Sequence, residues 1–323
     1  MPPETLPIVL LALLVDAAAG YPAPIFRAIG HPVTWLGALI GALDRSLNRQ
    51  DRPALFRRLA GVAAVLLVSA AAAGAGLLLQ ETLIKVRFGW AAIAMAAGTL
   101  IAARSLHTHV REVAEALEAG GLEAGRAAVS HIVGRDTHSL DEHGVARAAI
   151  ESLAENASDG VAAPVFWFVL LGLPGIAAYK AINTADSMIG HRSAKYKDFG
   201  WAAARLDDLV NLPASRLTAM LFAAASIFAG TSPRAAVRAV FRDAPRHRSP
   251  NAGYPEAAMA GALGLRLGGP RFYGGALAED AFMGSGRLAA TAHDIRRSLK
   301  LAAAAWLIQA AGIGLLACLT LRF

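Results

Sequence analysis

A helix crosses the hydrocarbon core of a bilayer with about 20 consecutive apolar residues. This chain supplies several such runs. Residues 59–80, 89–103 and 301–321 meet or nearly meet that length, and residues 6–19 form a shorter run that extends towards Tyr21. Two further runs are irregular. Residues 161–178 contain Pro164 and Pro174, while 212–229 open with Pro213 and carry Arg216 in the first turn. Prolines so placed suit broken or re-entrant helices beside a polar site. At 55% hydrophobic and 17% charged residues over 323 positions, the chain is too apolar for an ordinary soluble domain. The expected fold is all-α, a polytopic integral membrane protein with helical cytoplasmic loops and broken or re-entrant helices. It is read as one membrane-embedded domain over 1–323, with a helical cytoplasmic insertion at 104–159 and a cytoplasmic loop region at 231–299. No Lys or Arg precedes the first apolar run and Asp16 interrupts it, which favours a retained helix over a signal peptide.

The formal charge is +7. Arg45, Arg49, Arg52, Arg57 and Arg58 precede the second run, and Arg234, Arg238, Arg242, Arg246 and Arg248 follow the irregular one. Cytoplasmic loops retain such residues, so much of the excess is read as topological, and a smaller share as neutralising phosphates. The arginines read as spread over loops without a basic stripe, which excludes nucleic acid as a partner. One cysteine, Cys318, allows no internal disulfide and reads as a small packing residue.

Residues 107–156 carry soluble helical periodicity. Val110, Val113, Ala114 and Leu117 share a face, Gly120-Gly121 ends that element, and 122–133 is a second short helix. The text SLDE at 139–142 has a capping-box pattern that would start a third helix running into Glu155. No strand signal is strong enough for a sheet.

Polar residues crowd 151–211. Glu151, Glu155 and Asp159 are spaced by four and would share a face of one continuous helix, where like charges repel unless a cation sits among them. Magnesium, an oxygen-seeking ion that bridges phosphates, is the natural partner. Gly160 is an alternative helix end that would move Asp159 off the face. Lys180, Asn183, Thr184 and Ser187 also share a face, with Asp186 three after Asn183. Lys180 serves either as a point charge for phosphate or as an interfacial lysine. Asp207, Asp208 and Asn211 offer two carboxylates and an amide, although adjacent residues point about 100° apart and Arg205 is placed to pair with Asp208. Arg135, Asp136 and Thr137 follow Gly134 in a turn suited to anion capture. Ser249 and Asn251 lie in a proline-bearing polar loop, and glycines at 268–269 and 274–275 flank Tyr273 in a tight loop expected near the site. Asp16 and His31 reach the site from the N-terminal segment or serve in packing and capping. No phosphate-loop, dinucleotide or GxSxG motif is present.

These motifs carry a resemblance. GRDT at 134–137, ESLAEN at 151–156, SDGVAAPVFW at 158–167, YKAINTADSMIGHR at 179–192, AARLDD at 203–208, NLPASRLTA at 211–219 and RSPNAGYPEAAMAGAL at 248–263 stand in order over nearly the whole chain. Together they resemble the adenosylcobinamide-phosphate synthase family of cobalamin biosynthesis, the CobD/CbiB membrane proteins. The N-terminal text GYPAP departs from the aspartate–proline that such proteins often show. The resemblance implies an ATP- and magnesium-dependent ligase of the bacterial inner membrane, its site facing the cytoplasm. Its substrates would be adenosylcobyric acid and aminopropanol or its O-phosphate, and other enzymes of the pathway are expected partners. On that reading Glu151, Glu155, Asp159, Lys180, Asp186 and Asp207 are catalytic. Glu155, Asp159, Asp186, Asp207 and Asp208 supply magnesium ligands and the base. Arg135, Asp136, Thr137, Asn156, Asn183, Arg192, Arg205, Asn211, Ser249 and Asn251 hold substrate or phosphate, and all these groups are expected to converge. A transporter, or a non-catalytic membrane sensor of the same superfamily, is the competing expectation.

Overall fold

The computed structural model describes residues 5–21, 27–28, 30–134, 136–273, 276–278 and 280–320. The elements are α1 (Thr5–Ala19), α2 (Pro32–Leu47), α3 (Ala54–Leu83), α4 (Gly89–Gly98), α5 (Ala103–Ser130), α6 (Glu142–Asn156), α7 (Ala163–Ile189), α8 (Trp201–Phe228), α9 (Pro233–Asp243), α10 (Gly253–Leu263) and α11 (Ala292–Thr320). The fold is all-α, and five helical stretches among the described residues are long and apolar enough to cross a membrane: Ala54–Leu83, Gly89–Val129, Glu142–Ile189, Trp201–Phe228 and Ala292–Thr320. The chain divides into two compact units. The first comprises Met1–Ala102, Ala163–Asn211 and Ile313–Phe323, and the second Ala103–Ala162 and Leu212–Gly312.

Small residues organise the first unit. On α3, Gly61, Ala64, Val65, Val68, Ala72 and Gly76 face inwards, whereas Leu59, Leu66, Leu67, Leu77 and Leu78 point outwards. In a bilayer lipid is as apolar as leucine, so helices associate where small residues let backbones approach. At Gly61 a Cβ would lie 1.9 Å from the Phe199 carbonyl oxygen, and at Gly76 one would lie 2.7 Å from that of Leu173. The expected break in the proline-bearing run lies in α7, where Gly172 adopts φ 68° and ψ −154°. Gln80 repairs the broken ladder, since its Oε1 accepts the Leu173 N–H at 2.9 Å.

Several local expectations are corrected. Arg57 is not a solvated topological charge: it is buried in α3, where Asn48 and the Lys195 carbonyl accept from its guanidinium and Asp198 lies 3.9 Å away. This ties the 190–200 connection to the N-terminal helices. Pro213 does not open a new helix but sits inside continuous α8, on its exposed side. Cys318 is exposed rather than packed.

In the second unit α5 runs on to Ser130 but is kinked by non-helical backbone at Gly121 (φ 67°), as the double glycine predicts. The cap of α6 is Asp141, whose carboxylate accepts the Gly144 N–H, and not Ser139. The main chain at 267–283 also forms two small antiparallel ribbons, β1 (Leu267–Gly268) with β4 (Phe282–Met283) and β2 (Arg271–Tyr273) with β3 (Ala276–Ala278). These strands are two or three residues long, too short to show the alternation that reveals a strand in sequence.

Candidate functional site

The first unit gathers polar side chains from α7 and α8. Lys180, Asn183 and Asp186 lie along α7, and Asn183 Nδ2 donates to Asp207 Oδ1 on α8 at 3.3 Å. Asp207 is only 8% exposed. Asp186 lies within the electrostatic reach of both Asp207 and Asp208. Below them Tyr179 Oη donates to Asn211 Oδ1 at 2.9 Å, and Asn211 Nδ2 returns a bond to the Asp207 carbonyl at 3.1 Å. Asn211, 1% exposed, therefore fixes the turn of α8 that carries Asp207. The two adjacent aspartates diverge: Asp207 turns inwards, while half-buried Asp208 meets Arg205 at 3.5 Å and lies in the field of Arg192.

His31 joins this group from the start of α2. Its Nδ1 accepts the Val33 N–H at 3.1 Å as part of a capping box with Thr34. Burial holds its imidazole below the usual pKa, a hydrogen bond with the Thr99 backbone opposes that shift, and the charge of Lys180 adds to it. His31 is thus a cap that also lies in the electrostatic field of Lys180.

The second unit carries the 151–159 acids in three different settings. Glu151 is buried, and its Oε1 accepts the Gly268 N–H at 2.7 Å, which anchors the β1–β4 ribbon. Of the loop glycines, Gly268 is thereby placed against Glu151. Glu155 is exposed, as is Asn156, whose amide donates to the Ser152 carbonyl at 2.9 Å. The helix does not stop at Gly160; it widens into a π-helical turn over Ala157–Ala162 that holds half-buried Asp159. Ser158, in that turn, is 1% exposed and its hydroxyl has no hydrogen-bond partner among the described residues. π-turns recur at functional sites, and a buried unsatisfied hydroxyl calls for an explanation, so Ser158 joins the candidates.

A third group also lies in the second unit. Asn251 Oδ1 accepts from Ser215 Oγ at 3.1 Å and from Arg216 Nη1 at 2.9 Å, and the Arg216 guanidinium stacks on Tyr254 at 3.9 Å. Ser249 Oγ accepts the N–H groups of Asn251 and Ala252, so it shapes this loop. Arg216 was visible in sequence as a charge in an apolar run, but its stacking partner lies 38 residues away and was not. Asp136 accepts the His138 N–H at 2.9 Å and Thr137 is buried, while Arg135 lies outside the described residues, as do Gly274 and Gly275.

Among the described residues no group of three or more His, Cys, Asp or Glu side chains is arranged to hold a metal ion. Magnesium does not need one, since it commonly binds through one or two carboxylates plus substrate phosphates. Asp186 and Asp207 fit that donor chemistry.

The model of the family described as CobD/Cbib protein matches residues 9–302. The chain belongs to this family. It is 50% identical over 297 residues to a cobalamin biosynthesis protein CobD of a Sinorhizobium species, covering 90% of this chain and 92% of the relative. To the protein of the same name from Rhodobacter capsulatus it is 48% identical over 316 residues, 97% of each. The Brucella suis protein of that name is 47% identical over 298 residues, 91% of each. No solved structure shows significant similarity. The chain is accordingly a member of a cobalamin-biosynthesis family, with helices long and apolar enough to cross a membrane.

Proposed function

We propose that the chain is an ATP-dependent ligase. It joins a carboxylate of adenosylcobyric acid to the amine of (R)-1-amino-2-propanol O-phosphate, or of aminopropanol, through an amide bond. It would do so at the cytoplasmic face of the bacterial inner membrane. The reading rests on the family and on one observation, the meeting of Asn183 and Asp186 on α7 with Asp207 on α8. Carboxylates so placed suit a reaction that must remove a proton, and Lys180 on the same helix supplies a cation to hold phosphate.

A free carboxylate resists amines because its leaving group would be oxide. The carboxylate oxygen first attacks the terminal phosphorus of ATP, giving an acyl phosphate and ADP. The amine then attacks the acyl carbon, the carbon–oxygen bond to phosphate breaks, and inorganic phosphate leaves. The ammonium proton must be lost before attack, and a carboxylate of the Asp186–Asp207 pair accepts it. Lys180 holds phosphate as a point charge, and Arg192 and Arg205 spread the developing negative charge. Asn183 orients Asp207, and Asn211 with Tyr179 keeps that turn of α8 in place. Magnesium, when bound, neutralises charge on phosphate oxygens. In the second unit, Glu155 and Asp159 are the further acids assigned to this chemistry, and Asn156, Ser249 and Asn251 to substrate.

The test is mass spectrometry of purified protein incubated with ATP, magnesium, adenosylcobyric acid and aminopropanol phosphate. The expected result is an amide product formed in step with ADP. Substrate flux across sealed vesicles without amide formation would instead establish a transporter and overturn the proposal.

A further inference from the structure

Helix α9 has two faces of unlike chemistry. Ala236, Ala239 and Asp243 are buried, and a Cβ at Gly261 of α10 would lie 2.4 Å from the Ala235 carbonyl oxygen, so the helices pack with backbones nearly touching. At about 100° per residue, positions 234, 237, 238, 241 and 242 fall within about 140° of the opposite face. There Arg234, Arg238 and Arg242 alternate with Val237 and Phe241, and Phe241 is 81% exposed. The arginines read from sequence as dispersed loop charges thus form a short basic stripe with an apolar edge.

Three observations identify what this face meets. First, α8 ends at Phe228 and α9 begins at Pro233, so α9 starts four residues beyond a helix long and apolar enough to span a bilayer. Those residues extend at most about 14–18 Å, which is within reach of the headgroup layer. Ile227 and Phe228 at that end are exposed and apolar. Second, the only acid on α9 is turned inwards, where Asp243 accepts from Arg242 and from the Gly284 N–H at 2.8 Å. Arg234 and Arg238 have no ion-pair partner among the described residues, and exposed Arg246 and Arg248 follow directly. Third, a groove of about 140 Å³ runs between α9 and α10, with Arg238 and Arg242 on one side and Gly264, Ser285 and Gly286 on the other. It has room for a phosphodiester.

We propose that α9 is an in-plane membrane anchor that docks on anionic phospholipid. Val237 and Phe241 enter the boundary between headgroups and acyl chains, and the arginine stripe takes lipid phosphates, one of them in the groove beneath Arg238. Mixed apolar and basic side chains on one exposed helical face are what such a surface selects.

The test uses the full chain in nanodiscs of phosphatidylcholine alone or of phosphatidylcholine mixed with phosphatidylglycerol. Hydrogen exchange is followed in the peptide covering 233–243. Exchange should slow on the order of tenfold in the anionic discs, as two or more arginines near a charged surface require. Changing Arg234→Gln and Arg238→Gln together should remove the difference, and the paired Arg→Lys changes should keep most of it. Exchange in α10 reports whether the variants remain packed, and the wild-type comparison needs no variant. Equal exchange in the two discs overturns the proposal. So does equal protection by inorganic phosphate added to neutral discs, which would mark a receptor for free anions instead.

Discussion

The acids of α6 and the π-turn after it, and the polar residues of α7, both recur at helical intervals in sequence but reach different ends. Glu151, Glu155 and Asp159 repeat every four residues, yet one is buried on a backbone N–H, one is exposed, and one lies half-buried in a π-turn. Lys180, Asn183 and Asp186 repeat every three residues, and Asn183 and Asp186 are met by Asp207 from a second helix. Periodicity establishes a face, but a site needs a second element to close on that face. The difference separates a carboxylate that holds a ribbon's backbone N–H from carboxylates brought together by two helices.

The largest effects should fall on the α7–α8 group and on Glu155 of α6. Lys180→Ala should lower ligation on the order of 10²–10³-fold, with the protein still inserted in membranes, because a fixed cation on developing charge contributes that much. Asp207→Asn should cost at least about 100-fold in kcat if the pair accepts the proton. Glu155→Gln is expected to lose activity on the same scale. ATP-coupled product formation in native membranes measures all three. Near-normal turnover in both Lys180→Ala and Glu155→Gln would break the assignment of roles. Loss at Lys180 alone would confine the chemistry to α7 and α8.

Stability separates the regions next. Gly61→Ala should destabilise the first unit by about 1–3 kcal/mol, because the added methyl meets backbone that cannot move aside. Glu151→Ala should cost about 1–3 kcal/mol in the second unit by stranding the Gly268 N–H. Thermal unfolding in detergent checks both. If Glu151→Ala left stability unchanged and abolished turnover, Glu151 would belong with the reacting groups and the contrast drawn between the two regions would fail.

Much of this was legible in the chain. The all-α membrane fold followed from run lengths, the break in α7 from its proline-bearing run, and the family from ordered motifs. The Arg205–Asp208 pair and the divergence of Asp207 from Asp208 followed from helical geometry. What sequence did not disclose depends on partners distant along the chain. Gln80 on the Leu173 N–H, Arg57 on the Lys195 carbonyl and Tyr179 on Asn211 link residues separated by 93, 138 and 32 positions. The arginine stripe of α9 was missed for a different reason. In sequence its charges lie among loop residues, and only the helix Pro233–Asp243 brings them to one face.

The smallest expected effect lies at His31, and it tests whether Lys180 and the cap of α2 share one environment. The imidazole ordinarily titrates near 6.5 and is held lower here by burial and by Lys180. The folded protein therefore binds fewer protons than the unfolded chain in the interval below 6.5. Stability is full above that value and is lost as pH falls through the lowered folded pKa. Lowering the pH from about 7 to about 5 should reduce the thermal midpoint of the wild type. His31→Asn keeps a capping side chain but removes the titration, so it should flatten this part of the profile. Lys180→Ala should raise the His31 pKa by removing a like charge, so it narrows the interval of acid loss and shrinks that loss slightly, and NMR of the imidazole would read the shift directly. An imidazole titration unchanged by Lys180→Ala would place the two side chains in separate environments and remove His31 from the candidate site.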